Sequence, residues 1–262
     1  MTTATSPSDR PVVTHACQVV DIRPLSTGTF EIELAAPAGT VLDYHAGQYL
    51  QMDIDVQGDG KMQRLSYTIA NSCDAEKPRY LQVFLQTGSP FSNQLLTRLG
   101  QLKDCQQPLN ITLALGRAYL QTDVTQPHVF IAAGSGIAKI KAITEALLRR
   151  NPEANIAIYW SNKTAGEFYL LEHFGRWATQ HTNLRFTPVL EAADSEWTGR
   201  SGYLYEVIGT DFDDLSQVQT YLCGSPRMVY GTLDQLAAKG LQEHHCHSDV
   251  FEHSPREQQV AV

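Results

Sequence analysis

The residues with the clearest chemical potential are two glycines around one serine, Gly134-Ser135-Gly136, at the end of a short apolar run. The run His128–Ala133 has the length of a strand, and the residues after Gly136 carry apolar side chains at helical spacing. A strand that turns through glycines into a helix presents unpaired backbone N–H groups and the positive end of the helix dipole. Such a turn binds anions, so we predict that a dinucleotide pyrophosphate binds here.

The turn alone does not establish a nucleotide site. The complete dinucleotide fingerprint has a third small residue and an acid about 20 positions later. Lys139 stands at the first of these positions, and the next predicted strand ends in Trp160-Ser161-Asn162-Lys163 without an acid. An ordinary strand-to-helix turn is therefore an alternative that the residues leave open.

Composition narrows the class of protein and its partners. The chain has 262 residues, enough for one large or two ordinary domains. Its formal net charge of −8 argues against nucleic acid as a partner, because phosphate contacts need a clustered basic face. No apolar run reaches the length of a membrane-spanning helix, and the N-terminal residues lack the apolar core of a signal peptide. The five cysteines form no Cys-x-x-Cys pair, which argues against a zinc ribbon or an iron–sulfur domain. Their odd number, without a signal peptide, favours a reducing, cytoplasmic location.

The first half of the chain has the pattern of an antiparallel β-structure. Short apolar or alternating segments are separated by turns rich in glycine and proline. The predicted strands are Cys17–Ile22, Thr29–Leu34, Tyr49–Ile54, Leu65–Ala70, Tyr80–Leu85 and Leu109–Leu113. One helix, Asn93–Leu99 with Ser92 as its N-cap, is predicted among them. Strands at this spacing favour a closed or nearly closed antiparallel barrel.

From His128 onward strands and helices alternate, which predicts a doubly wound, mainly parallel sheet. The predicted strands are His128–Ala133, Asn155–Trp160, Leu184–Leu190 and Val218–Cys223, with Asp249–Phe251 as a closing strand. Helices are predicted after Gly136, over Glu167–Thr179 and over Pro226–Lys239. The predicted organisation is a barrel domain over residues 12–122 and an α/β domain over 123–253, with tails at 1–11 and 254–262.

Three candidate stretches fall at the carboxyl ends of predicted parallel strands: Gly134–Gly136, Trp160–Lys163 and Cys223–Met228. Ligands of open α/β sheets bind at these ends, beside the point where the strand order reverses. Their shared position favours a dinucleotide site over an ordinary turn.

Five short motifs follow one another along the chain. They are Ala46-Gly47-Gln48-Tyr49-Leu50, Leu65-Ser66-Tyr67-Thr68-Ile69-Ala70-Asn71, Gly116-Arg117-Ala118-Tyr119-Leu120, Ala133-Gly134-Ser135-Gly136-Ile137-Ala138 and Tyr221-Leu222-Cys223-Gly224-Ser225-Pro226-Arg227-Met228. Their types and their order resemble the ferredoxin–NADP reductase superfamily, most of all its short branch, the bacterial NAD(P)H:flavin oxidoreductases. The resemblance covers Val12 to Phe251 and implies a flavin-binding barrel followed by an NAD(P)-binding domain, with FAD or FMN and NADH or NADPH as the cofactors or substrates.

The resemblance implies roles for particular residues. Thr68 would hydrogen-bond the N5 edge of the flavin and Tyr67 would flank its ring, with a plain barrel strand as the alternative. Cys223 would lie near the nicotinamide C4 as a contact, with a small buried hydrophobe as the alternative. The residues implied at the flavin are Arg64, Tyr67, Thr68, Asn71, Ser89, Ser92, Asn93 and Phe251. Those implied at the pyridine nucleotide are Gly134, Ser135, Gly136, Ile137, Ser161, Asn162, Lys163, Cys223, Gly224, Pro226 and Met228.

One position departs from the family's flavin motif. The arginine that precedes the aromatic residue by two positions is Leu65 here, and Arg64 lies one residue earlier. A shift by one residue sends a strand side chain to the opposite face. Either a bulge returns Arg64 to the site, or the flavin loses that contact.

Two further flavin contacts have structural alternatives. Ser89, Ser92 and Asn93 resemble the helix start that meets a flavin phosphate, which would favour FMN or FAD over riboflavin. Ser92 also suits a simple N-cap. Phe251 resembles the C-terminal aromatic residue that covers the flavin ring, and core packing explains it equally well.

The remaining candidates concern the adenosine end and a possible metal. Lys163 or Arg185 could accept a 2′-phosphate, but a solvated lysine explains the former as well, so NADH and NADPH both stay open. His244, His245 and His247 suggest a metal, with residues 245 and 247 on one strand face. No carboxylate or cysteine pattern completes a site, so no metal is predicted.

The sequence as a whole predicts an NAD(P)H-dependent flavin reductase, in which hydride passes from the nicotinamide C4 to the flavin N5 at the domain junction. Reduced flavin would diffuse away or pass to a monooxygenase. The alternative is the same fold with prosthetic FAD, which passes electrons to a separate ferredoxin, flavodoxin or oxygenase component. A non-catalytic binding module is a third interpretation, supported only by Leu65.

Overall fold

The computed structural model describes residues 10–121, 123–193 and 196–256. It contains two sheets that follow one another along the chain, the first antiparallel and the second parallel. The predicted tails lie mostly outside the described residues, and so does residue 122 at the predicted domain boundary. In the described ranges no helix has both the length and the apolar character needed to cross a membrane.

Antiparallel strands form the first sheet. They are β1 (Val13–Ser26), β2 (Thr29–Ala35), β3 (Tyr49–Ile54), β4 (Gln63–Thr68), β5 (Tyr80–Gln86) and β6 (Leu109–Leu115). Their order in the sheet is β4-β3-β6-β1-β2-β5. The edge strands come together just after β4, where the Ala70 N–H donates to the Gln82 carbonyl at 2.7 Å. The sheet therefore curls into the predicted, nearly closed barrel.

Alternation along β3 explains how the barrel encloses a core. Every second residue points inward and is at most 2% exposed, namely Leu50, Met52 and Ile54. The residues between them pair with residues of β4, Tyr49 with Thr68 and Asp53 with Arg64. Side chains that oppose each other across a strand pair share a face. Thr68 and Arg64 therefore both lie on the outer face of the barrel.

Helix α1 (Pro90–Asp104) is longer than predicted and begins earlier. Its N-cap is Ser89, whose Oγ accepts the Ser92 backbone N–H at 3.0 Å, while the Ser92 Oγ accepts the Ser89 N–H at 3.1 Å. This reciprocal cap satisfies two donors at the helix start. The predicted N-cap at Ser92 is wrong, because Ser92 is the third helical position of the capping box.

Parallel strands form the second sheet. They are β7 (His128–Ala133), β8 (Ile156–Asn162), β9 (Leu184–Leu190), β10 (Arg200–Ser201), β11 (Gln219–Cys223) and β12 (Cys246–His247). The α-helices of this half are α2 (Ile137–Arg150), α3 (Leu171–Gln180), α4 (Leu204–Asp211), α5 (Pro226–Leu236) and α6 (Val250–His253). The sheet order β10-β9-β8-β7-β11-β12 reverses at the neighbours β7 and β11, so their carboxyl ends flank the switch point of a doubly wound sheet.

The predicted closing strand at Asp249–Phe251 is wrong. Val250 and Phe251 both pack against the core beside β11, and adjacent residues of a strand would point to opposite faces. They belong to the short helix α6, and the last strand is β12. The predicted helix Glu167–Thr179 also starts too early, because a 3-10 turn at Ala165–Glu167 precedes α3. No sequence pattern predicted the short elements α4 and β10.

Helix α2 packs the two halves together through buried charges. The Lys141 ammonium donates to the Ala70 carbonyl at 3.0 Å and pairs with Glu145 at 2.6 Å. The other oxygen of Glu145 accepts the Ser72 backbone N–H at 2.9 Å. One face of α2 thus holds the segment that follows β4, which explains why this lysine is buried.

Two buried histidines flank Tyr221 in the parallel sheet. The Tyr221 ring lies 4.7 Å from the ring of His247 and 6.4 Å from that of His128. His247 also forms a hydrogen bond of 2.9 Å with Gln219. Burial lowers the pKa of both histidines to about 4.

The other two histidines of the sequence cluster, His244 and His245, lie in a 3-10 turn before β12. Because β12 contains only Cys246–His247, the predicted shared strand face of His245 and His247 is wrong. Among the residues that the structure describes, no three His, Cys, Asp or Glu side chains are placed to hold a metal ion.

We expect acid to weaken the fold through His128 and His247. Both are kept neutral in the native state, whereas the unfolded chain binds a proton near pH 6.5. Their contribution to stability is therefore complete above pH 6.5, falls as the pH drops toward 4 and is lost below that value. Between about pH 7 and pH 5 the free energy of unfolding should fall by about 2 kcal/mol for each histidine. Urea unfolding at both pH values measures this, and His128→Phe should show the smaller pH dependence; an unchanged dependence would contradict the assignment.

Candidate active site at the domain junction

A cavity of about 360 Å³ lies where the barrel meets the carboxyl edge of the parallel sheet. Thr68 and Gln86 line it from the two edge strands of the barrel. The rest of its wall comes from the ends of β7 and β11, from the helix starts that follow them and from the C-terminal segment: Ala133, Gly134, Ser135, Gly136, Lys139, Leu222, Cys223, Gly224, Ser225, Ser248, Asp249 and Val250. The cavity volume lies in the range of small-molecule sites.

The glycine turn forms a short 3-10 helix between β7 and α2. Gly134 has a φ of +54°, a conformation that side chains disfavour. Gly136 lies directly against β11, so that a Cβ on it would stand 2.8 Å from the carbonyl carbon and 2.9 Å from the Cβ of Cys223. Glycine at position 136 is therefore needed for the close approach of two backbones.

One side chain of the sheet and one of α2 anchor the turn. The Trp160 indole N–H donates to the Gly134 carbonyl at 2.9 Å. Ile137, the first residue of α2, is fully buried. In the described part of the chain no side chain caps the start of α2, but the Ile137 backbone N–H donates to the Gly134 carbonyl within the 3-10 turn. The N–H groups available to an anion are therefore those of the turn ahead of Ile137.

The segment after β11 forms a second helix start beside the turn. Ser225 is the N-cap of α5 and accepts the Met228 N–H at 3.3 Å, and Pro226 occupies the first helical position. The Met228 side chain lies over Gly224. Cys223 is 7% exposed, and burial raises the pKa of its thiol to about 12. The sulfur is therefore a neutral thiol at physiological pH, which suits a contact surface and not a nucleophile.

On the barrel side, Thr68 and Tyr67 point in opposite directions. Thr68 lines the cavity, whereas Tyr67 packs against the barrel core on the other face of β4. Burial raises the pKa of the Tyr67 phenol. The aromatic residue on the face of Thr68 is its cross-strand partner Tyr49, whose ring also contacts His253 at 5.5 Å.

Arg64 lies on the outer face of β4, on the same side as Thr68. The described strands β3 and β4 pair in continuous register, so the bulge considered as one alternative is absent there. The guanidinium forms a bidentate ion pair with Asp53, from Nε at 2.7 Å and from NH2 at 3.0 Å. Without a bulge, Arg64 lies on the face of Thr68, opposite to that of Leu65, and a carboxylate already holds it.

The other predicted flavin contacts on the barrel use their polar groups internally. Ser89 and Ser92 form the cap of α1, and the Asn93 Oδ1 accepts a backbone N–H of the preceding loop at 3.2 Å. The Asn71 Oδ1 accepts the Gln82 N–H at 2.8 Å and so helps to close the barrel. None of the four predicted residues is among those that line the junction cavity.

Phe251 lies outside the junction cavity. Its ring packs against Tyr230 of α5, with 5.9 Å between the ring centroids. The C-terminal residues that line the cavity are the three before it, Ser248, Asp249 and Val250. Successive residues of a helical turn point in different directions, so α6 carries Phe251 away from the cavity.

Lys139 and Asp249 are site residues that no sequence motif marks. Lys139 is 3% exposed. Its ammonium donates to the carbonyl oxygens of Gly47 and Ala118, the latter at 3.0 Å, and pairs with Asp249 at 3.0 Å. The available signal was a lysine at the position of the third small residue of the glycine fingerprint. That lysine indicated that the glycine motif is incomplete, but it did not indicate that Asp249 would be its ion-pair partner.

The predicted adenosine contacts lie at the end of β8, next to β7 at the same edge of the sheet. Ser161 and Asn162 are at most 5% exposed, and Lys163 is exposed. Asn162 donates to the Glu167 carbonyl at 3.2 Å. The Glu167 carboxylate accepts the Thr164 N–H at 3.2 Å, so this acid serves a local cap.

The arrangement suits cofactor chemistry better than acid–base catalysis. The cavity wall combines backbone N–H groups, a hydroxyl, a neutral thiol and a paired ammonium and carboxylate. Such a wall can align two ring systems that approach from the barrel and from the parallel sheet. Alignment is what direct hydride transfer needs from a protein.

Comparison with known proteins identifies the family. Residues 130–234 match the family model of the oxidoreductase NAD-binding domain. The chain is 32% identical over 238 residues to the CDP-6-deoxy-L-threo-D-glycero-4-hexulose-3-dehydrase reductase of Yersinia pestis, which covers 91% of this chain and 69% of that protein. It is 25% identical over 224 residues to the NAD(P)H-flavin reductase of Vibrio harveyi, which covers 85% of this chain and 92% of that protein. The solved structure of the Amycolatopsis cytochrome P450 reductase GcoB shares the fold, with a TM-score of 0.76 at 23% identity over 91% of this chain and 70% of that chain.

The chain therefore belongs to the ferredoxin–NADP reductase superfamily, as its five motifs predicted. It is an oxidoreductase with the antiparallel barrel and the parallel nucleotide-binding sheet of that superfamily.

Proposed function

We propose that the protein is an NAD(P)H-dependent flavin reductase that transfers a hydride from the nicotinamide C4 to N5 of FMN or FAD. The junction cavity carries this proposal, because Thr68 of the barrel, the glycine turn and Cys223 line one space. A flavin on the barrel and a nicotinamide on the parallel sheet would meet there. The match to 92% of the Vibrio harveyi NAD(P)H-flavin reductase supports the same reaction.

In this proposal the residues of the chain bind and align. The glycine turn holds the pyrophosphate through backbone N–H groups. Cys223 and Gly224 contact the nicotinamide, and Thr68 offers its hydroxyl to the edge of the flavin ring. The two bound groups supply the chemistry, two electrons moving as hydride while solvent provides the proton that completes the reduced flavin. No side chain has to gain or lose a proton in the hydride step.

We further propose that the flavin is a dissociable substrate. Tight binding of its phosphate needs charge-assisted hydrogen bonds. Leu65 stands where the family motif has arginine, Arg64 is held by Asp53, and the Ser89 and Ser92 hydroxyls serve the cap of α1. These residues therefore offer a flavin phosphate little attraction.

Replacing the partner of Arg64 should strengthen flavin binding. In Asp53→Asn the guanidinium loses its charged partner and becomes available to a phosphate on the face of Thr68. We expect the dissociation constants of FMN and FAD to fall about three- to fivefold, or about 1 kcal/mol, while that of riboflavin, which has no phosphate, stays the same. Fluorescence titration measures all three flavins. Adding Arg64→Gln should remove the gain, and an equal gain for riboflavin would contradict this account.

The second candidate is a reductase with prosthetic FAD that passes electrons to a ferredoxin, flavodoxin or oxygenase component. The name of the Yersinia pestis relative supports it, since it describes a reductase that serves another enzyme. In this candidate a flavin bound at the same cavity would accept the hydride, and a separate protein would take the electrons from it.

The visible spectrum of the purified protein after gel filtration separates the two candidates. It is followed by assays of NADH and NADPH oxidation, with and without added FMN or FAD. We expect a colourless protein that oxidises the nucleotide only when flavin is added. A stoichiometric flavin band that travels with the protein would favour prosthetic FAD. Failure to oxidise either nucleotide would contradict both candidates and favour a non-catalytic binding module.

Both nucleotides belong in this assay, because neither residue near the end of β8 selects between them: the Glu167 carboxylate serves a local cap and Lys163 is exposed.

We also propose a reducing, cytoplasmic location. All five cysteines are free thiols, which such a compartment maintains.

A further inference from the structure

We infer that Lys139 and Asp249 form a positioning pair that fixes the spacing between the glycine turn and the barrel during hydride transfer. The inference rests on the proposed function. Lys139 lies in the first turn of α2, directly after Gly134–Gly136. Whatever holds Lys139 therefore also holds the nucleotide-binding turn.

Lys139 connects three separate parts of the chain. Its ammonium donates to the carbonyl oxygens of Gly47, just before β3, and of Ala118, after β6, and it pairs with Asp249, just before α6. An ammonium has three N–H donors, and these three acceptors engage all of them. Moving any of the three parts would leave buried charge without compensation, which is costly.

Both members of the pair line the junction cavity. The side chain of Lys139 is 4% exposed and that of Asp249 is 24% exposed. One carboxylate oxygen of Asp249 contacts the ammonium, and the other is buried without a hydrogen-bond partner among the described residues. Asp249 depends on Lys139 for compensation of its charge. Loss of the lysine would therefore release the C-terminal part of the cavity wall.

The barrel acceptors of Lys139 lie where α2 already touches the barrel. A Cβ at Gly47 would stand 2.9 Å from the Ala118 oxygen and 2.9 Å from the Ile143 Cδ1 of α2. The lysine thus fixes α2 against the barrel at a tight contact, and with it the distance from the turn to Thr68. Rates of hydride transfer respond to displacements of about 1 Å.

Lys141 provides a matched control on the same helix. It is 7% exposed, pairs with Glu145 at 2.6 Å and donates to the Ala70 carbonyl of the barrel at 3.0 Å. It lines a different cleft, together with Glu145, and is not among the residues of the junction cavity. Both lysines hold the two halves together, but only Lys139 borders the reacting space.

The test compares the wild type with Lys139→Met, Lys141→Met and the double variant Lys139→Met/Asp249→Asn. Stopped-flow reduction of FMN by NADH or NADPH, and by the nucleotide deuterated at C4, reports hydride transfer. Fluorescence titration reports the affinities for FMN and nucleotide, and thermal unfolding reports stability.

We expect Lys139→Met to slow hydride transfer at least about tenfold, to increase the deuterium isotope effect on turnover and to change either KM less than about threefold. Lys141→Met should lower the melting temperature about as much as Lys139→Met does, but it should keep the rate of hydride transfer within about twofold of the wild type. The double variant has no uncompensated carboxylate, so it should recover melting temperature without recovering the rate. If Lys139→Met does not fold, Asp249→Asn alone should show the same selective loss of rate.

Equal hydride-transfer rates in Lys139→Met and Lys141→Met would overturn the inference and make Lys139 a structural residue only. Recovery of the rate in the double variant would overturn it as well. A wild type that oxidises neither nucleotide in the presence of flavin would overturn the proposed function itself, an outcome distinct from a wild type that is active and insensitive to Lys139.

Discussion

Gly136→Ala should lower the affinity for NAD(P)H at least about tenfold, or about 1.4 kcal/mol, and leave the affinity for flavin unchanged. The φ of Gly136 is −57°, which any residue adopts, so the expected loss of affinity comes only from the steric overlap of the added methyl group. The new Cβ would meet backbone atoms of Cys223, which cannot rotate away. The start of α2 must then move from β11, and the N–H groups of the turn move with it. Overpacking of this kind costs about 1–3 kcal/mol.

Separate titrations of nucleotide and of FMN test this prediction. Gly231→Ala is the matched control, because Gly231 lies in α5 with no atom near the position of its Cβ. That variant should bind both ligands as the wild type does. A parallel loss of FMN affinity in Gly136→Ala would indicate general damage to the fold and contradict the assignment of the turn to the nucleotide.

Gly47→Ala should lower the free energy of unfolding by about 3 kcal/mol. The backbone of Gly47 has a φ of +102°, a region that side chains disfavour. Its Cβ would also meet the Ala118 oxygen, the Tyr119 Cα and the Ile143 Cδ1 at 2.9–3.0 Å. Strain contributes about 1–2 kcal/mol, and the remainder comes from forcing the barrel and α2 apart. The Gly47 carbonyl is an acceptor of Lys139, so hydride transfer should slow as well.

Urea unfolding measures the loss, and Gly39→Ala separates its two causes. Gly39 has a φ of +82° and no atom within 4 Å of its Cβ position. In that control the free energy of unfolding should fall only by the backbone strain, about 1–2 kcal/mol. Equal losses in the two variants would show that the contact between the halves adds nothing.

The regular parts of the fold could be predicted from local pattern. All six predicted barrel strands are present, because a strand with one buried face alternates in its own sequence, as β3 does. The glycine turn and the switch point could be predicted for a similar reason, since β7 and β11 each end in apolar residues and are followed by a glycine-containing stretch. Errors at helix ends arose where capping decides the boundary, as at Ser89.

Contacts between distant segments could not be predicted. Asp249 and Lys139 lie far apart in the sequence, and neither position carries a local pattern that implies an ion pair. The position of Phe251 depended on whether its segment forms a strand or a helical turn. A run of two apolar residues does not decide between them. Both outcomes for Arg64, a bulge or a lost flavin contact, were left open, and the carboxylate that holds it could not be predicted, because strand register is a property of the folded sheet.

The burial of Cys223 has a consequence for chemical durability. Peroxides and alkylating agents attack thiolates, and a thiol with a pKa of about 12 offers almost none at physiological pH. Such reagents would meet the exposed Cys105 long before the sulfur in the cavity wall. The Cys223 sulfur in the wall of the junction cavity should therefore stay unmodified under conditions that oxidise or alkylate Cys105.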